Sequence, residues 1–135
     1  MTKFLLLQNY EGSAACDEPM ANWAPEDIKA HIDFQLAMNM ELTGKGELIE
    51  AQALAGPELA KFVTCDGVGA PVVTDGPFPE SKELLAGYRM VDVESEARAL
   101  EIAAKASAAP GPGGIPIQQP IEVRQVMGAP SADDL

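Results

Sequence analysis

The segment Thr74-Asp75-Gly76-Pro77-Phe78-Pro79-Glu80-Ser81-Lys82-Glu83 gathers three carboxylates and a lysine just after a rigid turn. Carboxylates held near a cation are the groups that fix polar substrates or move protons. Asp75 precedes Gly76, so its side chain can also bond the turn backbone. From composition alone that structural role is the simpler account of Asp75. His31 is the only histidine. At about 100° per residue it falls between Met38 and Leu42 in the apolar arc of a helix, next to Gln35. It should therefore face a sheet rather than water. A histidine there is either a packed core residue or a general base oriented by a carboxylate. With Asp75 it would form a His/Asp pair, the minimum for abstracting a proton from a small substrate.

Three further positions belong to the same question. Arg124 alternates with Val123 and Val126 on a predicted strand, on the opposite face from Ile121. Its guanidinium could hold a substrate carboxylate with two prongs, or pair with Glu80 or Glu83 across a dimer interface. The ion pair is the favoured reading, with Lys82 in the same polar network. Tyr88 could donate a hydrogen bond to a ligand, although an aromatic on a strand is more often core. Met38, Met40 and Met90 read as gap-filling core residues. No cofactor or metal is expected. One histidine and scattered acids do not make a ligand set, and Cys16 and Cys65 have no CxxC spacing. Gly111-Pro112-Gly113-Gly114 follows a helix, so it lacks the strand–loop–helix setting of a phosphate loop.

The elements that must position these residues are legible in outline. Lys3 to Asn9 reads as a strand, and Tyr10 to Trp23 as a long linker. A helix should start at Ala24-Pro25-Glu26-Asp27, where proline and two acids suit a helix N-terminus. Its apolar arc is Ile28, Ile32, Leu36, Met38 and Leu42, and Thr43-Gly44-Lys45-Gly46 should end it. Trp23 should pack against its first turn. A second strand is expected over Glu47 to Ala55, broken by Gly56-Pro57, with a single turn at Pro57-Glu58-Leu59-Ala60. Lys61 to Cys65 and Ala70 to Thr74 read as a hairpin around Asp66-Gly67. A strand over Leu84 to Val93 leads to an alanine-rich helix, about Glu94 to Ala108, with Ala97, Leu100 and Ala104 on one face. Prolines and glycines exclude helix and central strand from Ser107 to Pro120. Ile121 to Met127 closes the set, with Ile121, Val123 and Met127 on one face.

This order puts both helices on one face of a sheet, and the simplest solution is a ferredoxin-like α+β domain with an inserted hairpin. It occupies residues 1–127, with 128–135 as a flexible acidic tail. The other sheet face is then bare, so a homodimer with its sheets packed together is expected. Length agrees with one domain, since 135 residues suffice for a core of their own. Nine basic and 21 acidic residues give a formal charge of −12, which disfavours nucleic acid and anionic membranes. No apolar run approaches the ~20 residues of a membrane span, and Phe4-Leu5-Leu6-Leu7 is too short for a signal-peptide core. A cytoplasmic location is expected, and with it no Cys16–Cys65 disulfide.

The stretch DGPFPESKE, Asp75 to Glu83, closely resembles the DGPF-x-E-[TS]-KE signature of the YCII-related family, in its DGPF branch. Leu85-Ala86-Gly87-Tyr88 is similar to the family's next strand, Ser95 to Ala104 to its alanine-rich helix, and Ile121-Glu122-Val123-Arg124 to its closing strand. The resemblance covers most of Ala24 to Met127. Gln125, where the family often has proline, and the long Tyr10 to Trp23 linker depart from the pattern and could alter the entrance to a site. The resemblance implies a ferredoxin-like fold that dimerises through its sheets as an α/β barrel. Some related members look like lyases that remove a leaving group from a small aromatic acid with a histidine and an aspartate. The signature aspartate maps to Asp75. His31 lies near the position of that histidine.

Two functional readings follow. One is a small acid–base enzyme of lyase or isomerase type acting on a small organic acid. It would use His31 as base and Asp75 as its partner, with Arg124 on the anion and Glu80, Lys82, Glu83 and Tyr88 around it. The other is a non-catalytic homodimer that binds a small ligand or a regulatory protein. The resemblance favours it to the extent that DGPF-branch members look like proteins associated with extracytoplasmic-function sigma factors. In either case the site should lie between the first helix and the sheet.

Overall fold

The computed structural model describes residues 1–9, 20–76 and 85–129. Among these residues six strands and two α-helices run in the order β1 (Thr2–Asn9), α1 (Pro25–Gly44), β2 (Leu48–Ala53), β3 (Lys61–Thr64), β4 (Val72–Asp75), β5 (Leu85–Val93), α2 (Glu96–Ser107) and β6 (Ile121–Gln125). Strands β2, β5, β1 and β6 form one antiparallel sheet in that spatial order. Strands β3 and β4 pair separately as a hairpin. The result is an α+β domain with one open four-stranded sheet, compatible with a ferredoxin-like fold.

Local chemistry sets the element ends. Pro25 opens α1 with Glu26 and Asp27 in its first turn, where the helix dipole favours negative charge. Gly44 is its last residue, Lys45 caps it in the right-handed region, and the left-handed turn falls on Gly46 at φ 72°. Ser95 caps α2, its hydroxyl accepting from the Arg98 N–H at 3.2 Å. Between α2 and β6 the chain makes a single 3-10 turn, Pro112–Gly114.

The core lies between the helices and one sheet face. Phe4 and Leu6 of β1 and Val91 and Val93 of β5 meet Met38 and Leu42 of α1 and Ala99, Ile102, Ala103 and Ala106 of α2. Two helix faces differ from the sequence expectation. On α1, Ile32, Leu36 and Met40 are exposed, while His31 and Met38 face inward. On α2, Ala97, Leu100 and Ala104 point outward, and the packed stripe is Ala99, Ile102, Ala103 and Ala106. Met127, expected on one strand face with Ile121 and Val123, lies beyond β6 and is exposed. A second cluster joins Trp23, Ala109 and Ile117 to Ile28 and Phe34, seating Trp23 against the start of α1.

Among the described residues the other sheet face carries no helix. By strand alternation it presents Leu5 and Leu7 of β1 and Tyr88 and Met90 of β5. Leu5 lies directly opposite Met90, and Leu7 opposite Tyr88.

Candidate functional site

A partly buried polar network lies between α1 and β5, with His31 and Arg89 its buried members. His31, Gln35 and Asn39 recur every fourth residue, which places them in one row along α1. Arg89 comes up from the sheet beneath them. It alternates with Val91 and Val93, so it takes an inward position on an otherwise apolar strand face. Its register neighbours are Leu6 on β1 and Ala51 on β2.

The hydrogen bonds define a direction through this row. His31 Nδ1 lies 3.0 Å from the Pro110 carbonyl oxygen, which can only accept, so Nδ1 carries the proton. Nε2 of the neutral ring then accepts from Gln35 Nε2 at 3.2 Å. That leaves Gln35 Oε1 to accept from Arg89 Nη2. The Arg89 Nε–H donates to Asn39 Oδ1 at 2.8 Å. Turning the Gln35 amide over would set its NH2 against the guanidinium, so the network fixes one amide orientation and one imidazole tautomer. Trp23 stands edge-on to the His31 ring at 5.6 Å between centroids.

Arg89 is only 6% exposed. No carboxylate among the described residues pairs with it. Burial pushes its guanidinium below the usual arginine value, as it does when charge is desolvated without a counter-ion. Both groups that hold it are neutral amide oxygens, and together they engage two of the five N–H donors of a guanidinium.

The sequence-derived candidates occupy separate places. His31 is on the helix side of the sheet, hydrogen-bonded to Pro110 and Gln35 rather than to a carboxylate. Asp75 ends β4, directly opposite Lys61 on β3, and pairs with the Lys61 ammonium on the exposed hairpin. Tyr88 and Arg124 lie on the helix-free face. There burial and then Glu50 push the Tyr88 phenol up, and Arg124 sits 3.7 Å from Glu122. Arg124 therefore has an intrastrand partner. Glu80, Lys82 and Glu83, with the rest of the Pro77 to Leu84 stretch, lie outside the described residues. So do Tyr10 to Pro19 of the linker, and residues 130–135. Gln35 was legible only as a neighbour of His31. Asn39 and Arg89 were missed, although a charge two residues before Val91 and four before Val93 is the signal that could have found Arg89.

Among the described residues no group of three or more His, Cys, Asp or Glu side chains could hold a metal ion. No helix among them is long and apolar enough to cross a membrane.

Antiparallel sheet, helices on one face and a buried site beneath the first helix define the class as a small α+β domain. Residues 2–115 match the YCII-related domain, and the chain belongs to that family. No curated protein matches it.

Proposed function

We propose that this chain is a DGPF-branch member that acts as a cytoplasmic homodimer and binds a small ligand between α1 and β5, without catalysing its conversion. One observation carries this reading: both His31 nitrogens are committed, Nδ1 to Pro110 and Nε2 to Gln35. A general base needs a free lone pair and, for a His/Asp mechanism, a carboxylate beside it. Here Gln35 occupies the lone pair, and Asp75 pairs with Lys61 on the hairpin. A buried polar row running from helix to sheet is instead suited to recognition, because its members are held in fixed orientations before a ligand arrives. The helix-free face, with its leucine, tyrosine and methionine, supplies the apolar surface for a second copy.

A mixed panel of neutral, cationic and anionic small molecules tests this reading by NMR of the uniformly labelled protein. The side-chain amides of Gln35 and Asn39 should shift with at least one binder, and no member of the panel should be chemically changed. Binding confined to the hairpin or the helix-free face, or turnover of a panel member, would overturn it.

A further inference from the structure

A buried arginine without a counter-ion is costly, because its desolvation is not offset by an opposite charge. Arg89 is in that situation among the described residues, and amide oxygens are the only groups shown to hold it. The arrangement resembles a receptor more than a strut. Asn39 takes Nε, Gln35 takes one proton of Nη2, and the end-on edge of Nη1 and Nη2 is the part these two amides do not exhaust. That edge has the spacing for both oxygens of one carboxylate. Toward the start of β5 the next helix-facing position is Gly87, opposite Ala53 of β2 and close against the β2 backbone, while Ala51 lies opposite Arg89 itself; Ala53 is exposed. The guanidinium thus sits where the apolar core of Val91 and Val93 gives way to small residues.

We propose that Arg89 is the receptor for the carboxylate of a small organic acid, oriented by Asn39 directly and by His31 through Gln35. The inference rests on the ligand site proposed above and adds the ligand's charge and the residue that reads it. In a chain of net charge −12, long-range attraction does not draw an anion in. Recognition therefore depends on this one desolvated contact. A guanidinium fork takes either a carboxylate or a phosphate with two parallel hydrogen bonds, so inorganic phosphate is the control that separates the two. His31 and Gln35 act as positioning residues: the Pro110 carbonyl fixes the ring, the ring fixes the amide, and the amide fixes the guanidinium.

Benzoate and its neutral isostere benzamide are suitable probes. Trp23, the only tryptophan, reports from beside His31 by fluorescence. The amides of Gln35 and Asn39 report by NMR. Benzoate should bind roughly tenfold or more tightly than benzamide, the scale of a charged hydrogen bond left unmade. Arg89→Met should abolish that preference and Arg89→Lys should reduce it. Asn39→Ala and His31→Phe should narrow the preference for benzoate over benzamide, an effect that general loosening of the fold would not produce. Arg89→Met should melt no lower than the parent, since it removes a desolvated charge. If it does not fold, the Arg89→Lys and Asn39→Ala preferences decide the matter. Equal binding of benzoate and benzamide at the Gln35 and Asn39 signals would keep the ligand site and overturn the carboxylate receptor. So would benzoate binding that survives Arg89→Met, or inorganic phosphate binding more tightly than benzoate. Silence from both probes would overturn the receptor, while the mixed panel judges the ligand site separately.

Discussion

Arg98 grips Glu47 with two prongs, Nη2 to Oε1 and Nε to Oε2, each at 2.9 Å. The side chains are 23% and 12% exposed, so water screens this pair less than a surface one. The contact ties the first turn of α2 to the residue before β2, and the Glu47 carbonyl accepts from the Asp92 N–H at 2.8 Å. The Arg98 hydrogen bonds hold the Glu47 carboxyl below its ordinary value. A carboxyl depressed in the folded state contributes stability that is fully present above its unfolded value, about 4.3. That contribution fades as the pH falls through the lower folded value. Glu47→Gln should therefore cost about 1–3 kcal/mol near neutral pH, and the gap from wild type should close in acid. Urea unfolding of both proteins from pH 7 down to pH 3 measures this. A gap that stays constant or widens on acidification would contradict it.

Gly76 illustrates how the DGPF motif works locally. The sequence places a tight turn here, but Gly76 is not one of the left-handed residues. Its requirement is space. A β-carbon there would run into the Phe62 ring on the facing strand, while the Gly76 N–H donates to the Ala60 carbonyl at 2.9 Å. Gly67, at the hairpin tip, is the opposite case: its φ is 83° and nothing crowds it. Gly76→Ala should disturb the hairpin, and adding Phe62→Ala should relieve most of that disturbance. Gly67→Ala should cost about 1–2 kcal/mol of local stability irrespective of Phe62, because its strain is in the backbone. Hydrogen exchange of the β3 and β4 amides reads both. Additive effects of Gly76→Ala and Phe62→Ala would refute the steric account.

The proposed dimer can be tested at one cross-strand position. Leu7 lies between Tyr88 on β5 and Glu122 on β6, on the face without helices. Leu7→Lys puts a charge in the middle of that face while giving it Glu122 as a neighbour, so the isolated fold should tolerate it. Light scattering should find wild type at twice the chain mass and Leu7→Lys at the chain mass, with circular dichroism unchanged. A wild type that is monomeric at micromolar concentration would remove the sheet-to-sheet dimer.

The layout of the fold was legible because its punctuation is strong. Pro25 after Trp23-Ala24, Gly56-Pro57, Asp66-Gly67 and the proline run before Ile121 each mark a real boundary. The faces were harder. In α2 alanines occur on every side, so an alternative stripe through Ala97, Leu100 and Ala104 looked as good as the packed one. In β5, Tyr88 and Met90 are nearly as apolar as Val91 and Val93, and this hid the fact that Arg89 shares the inward face. His31 was placed correctly away from water because 100° spacing from Met38 and Leu42 is a local property. Its partners could not be read the same way. Pro110 is 79 residues away along the chain, and the Lys61 that pairs with Asp75 is brought there by hairpin register alone.

The phase of α1 yields the sharpest contrast between neighbouring residues. The sequence puts Leu36 and Met38 in one apolar arc, yet Leu36 is 56% exposed and Met38 only 2%. Met38 packs among the residues joining α1 to the sheet, so Met38→Ala removes buried methylenes and leaves a void. That should cost about 2–5 kcal/mol. Leu36→Ala removes as much apolar volume from the outer side, where alanine's helix propensity offsets what contact is lost, and should stay within about 0.5 kcal/mol of wild type. Both follow from chemical denaturation at a protein concentration low enough to keep association constant between variants. If Leu36→Ala is the more damaging change, the helix is rotated from the orientation described, and His31 and Gln35 would turn away from Arg89 with it.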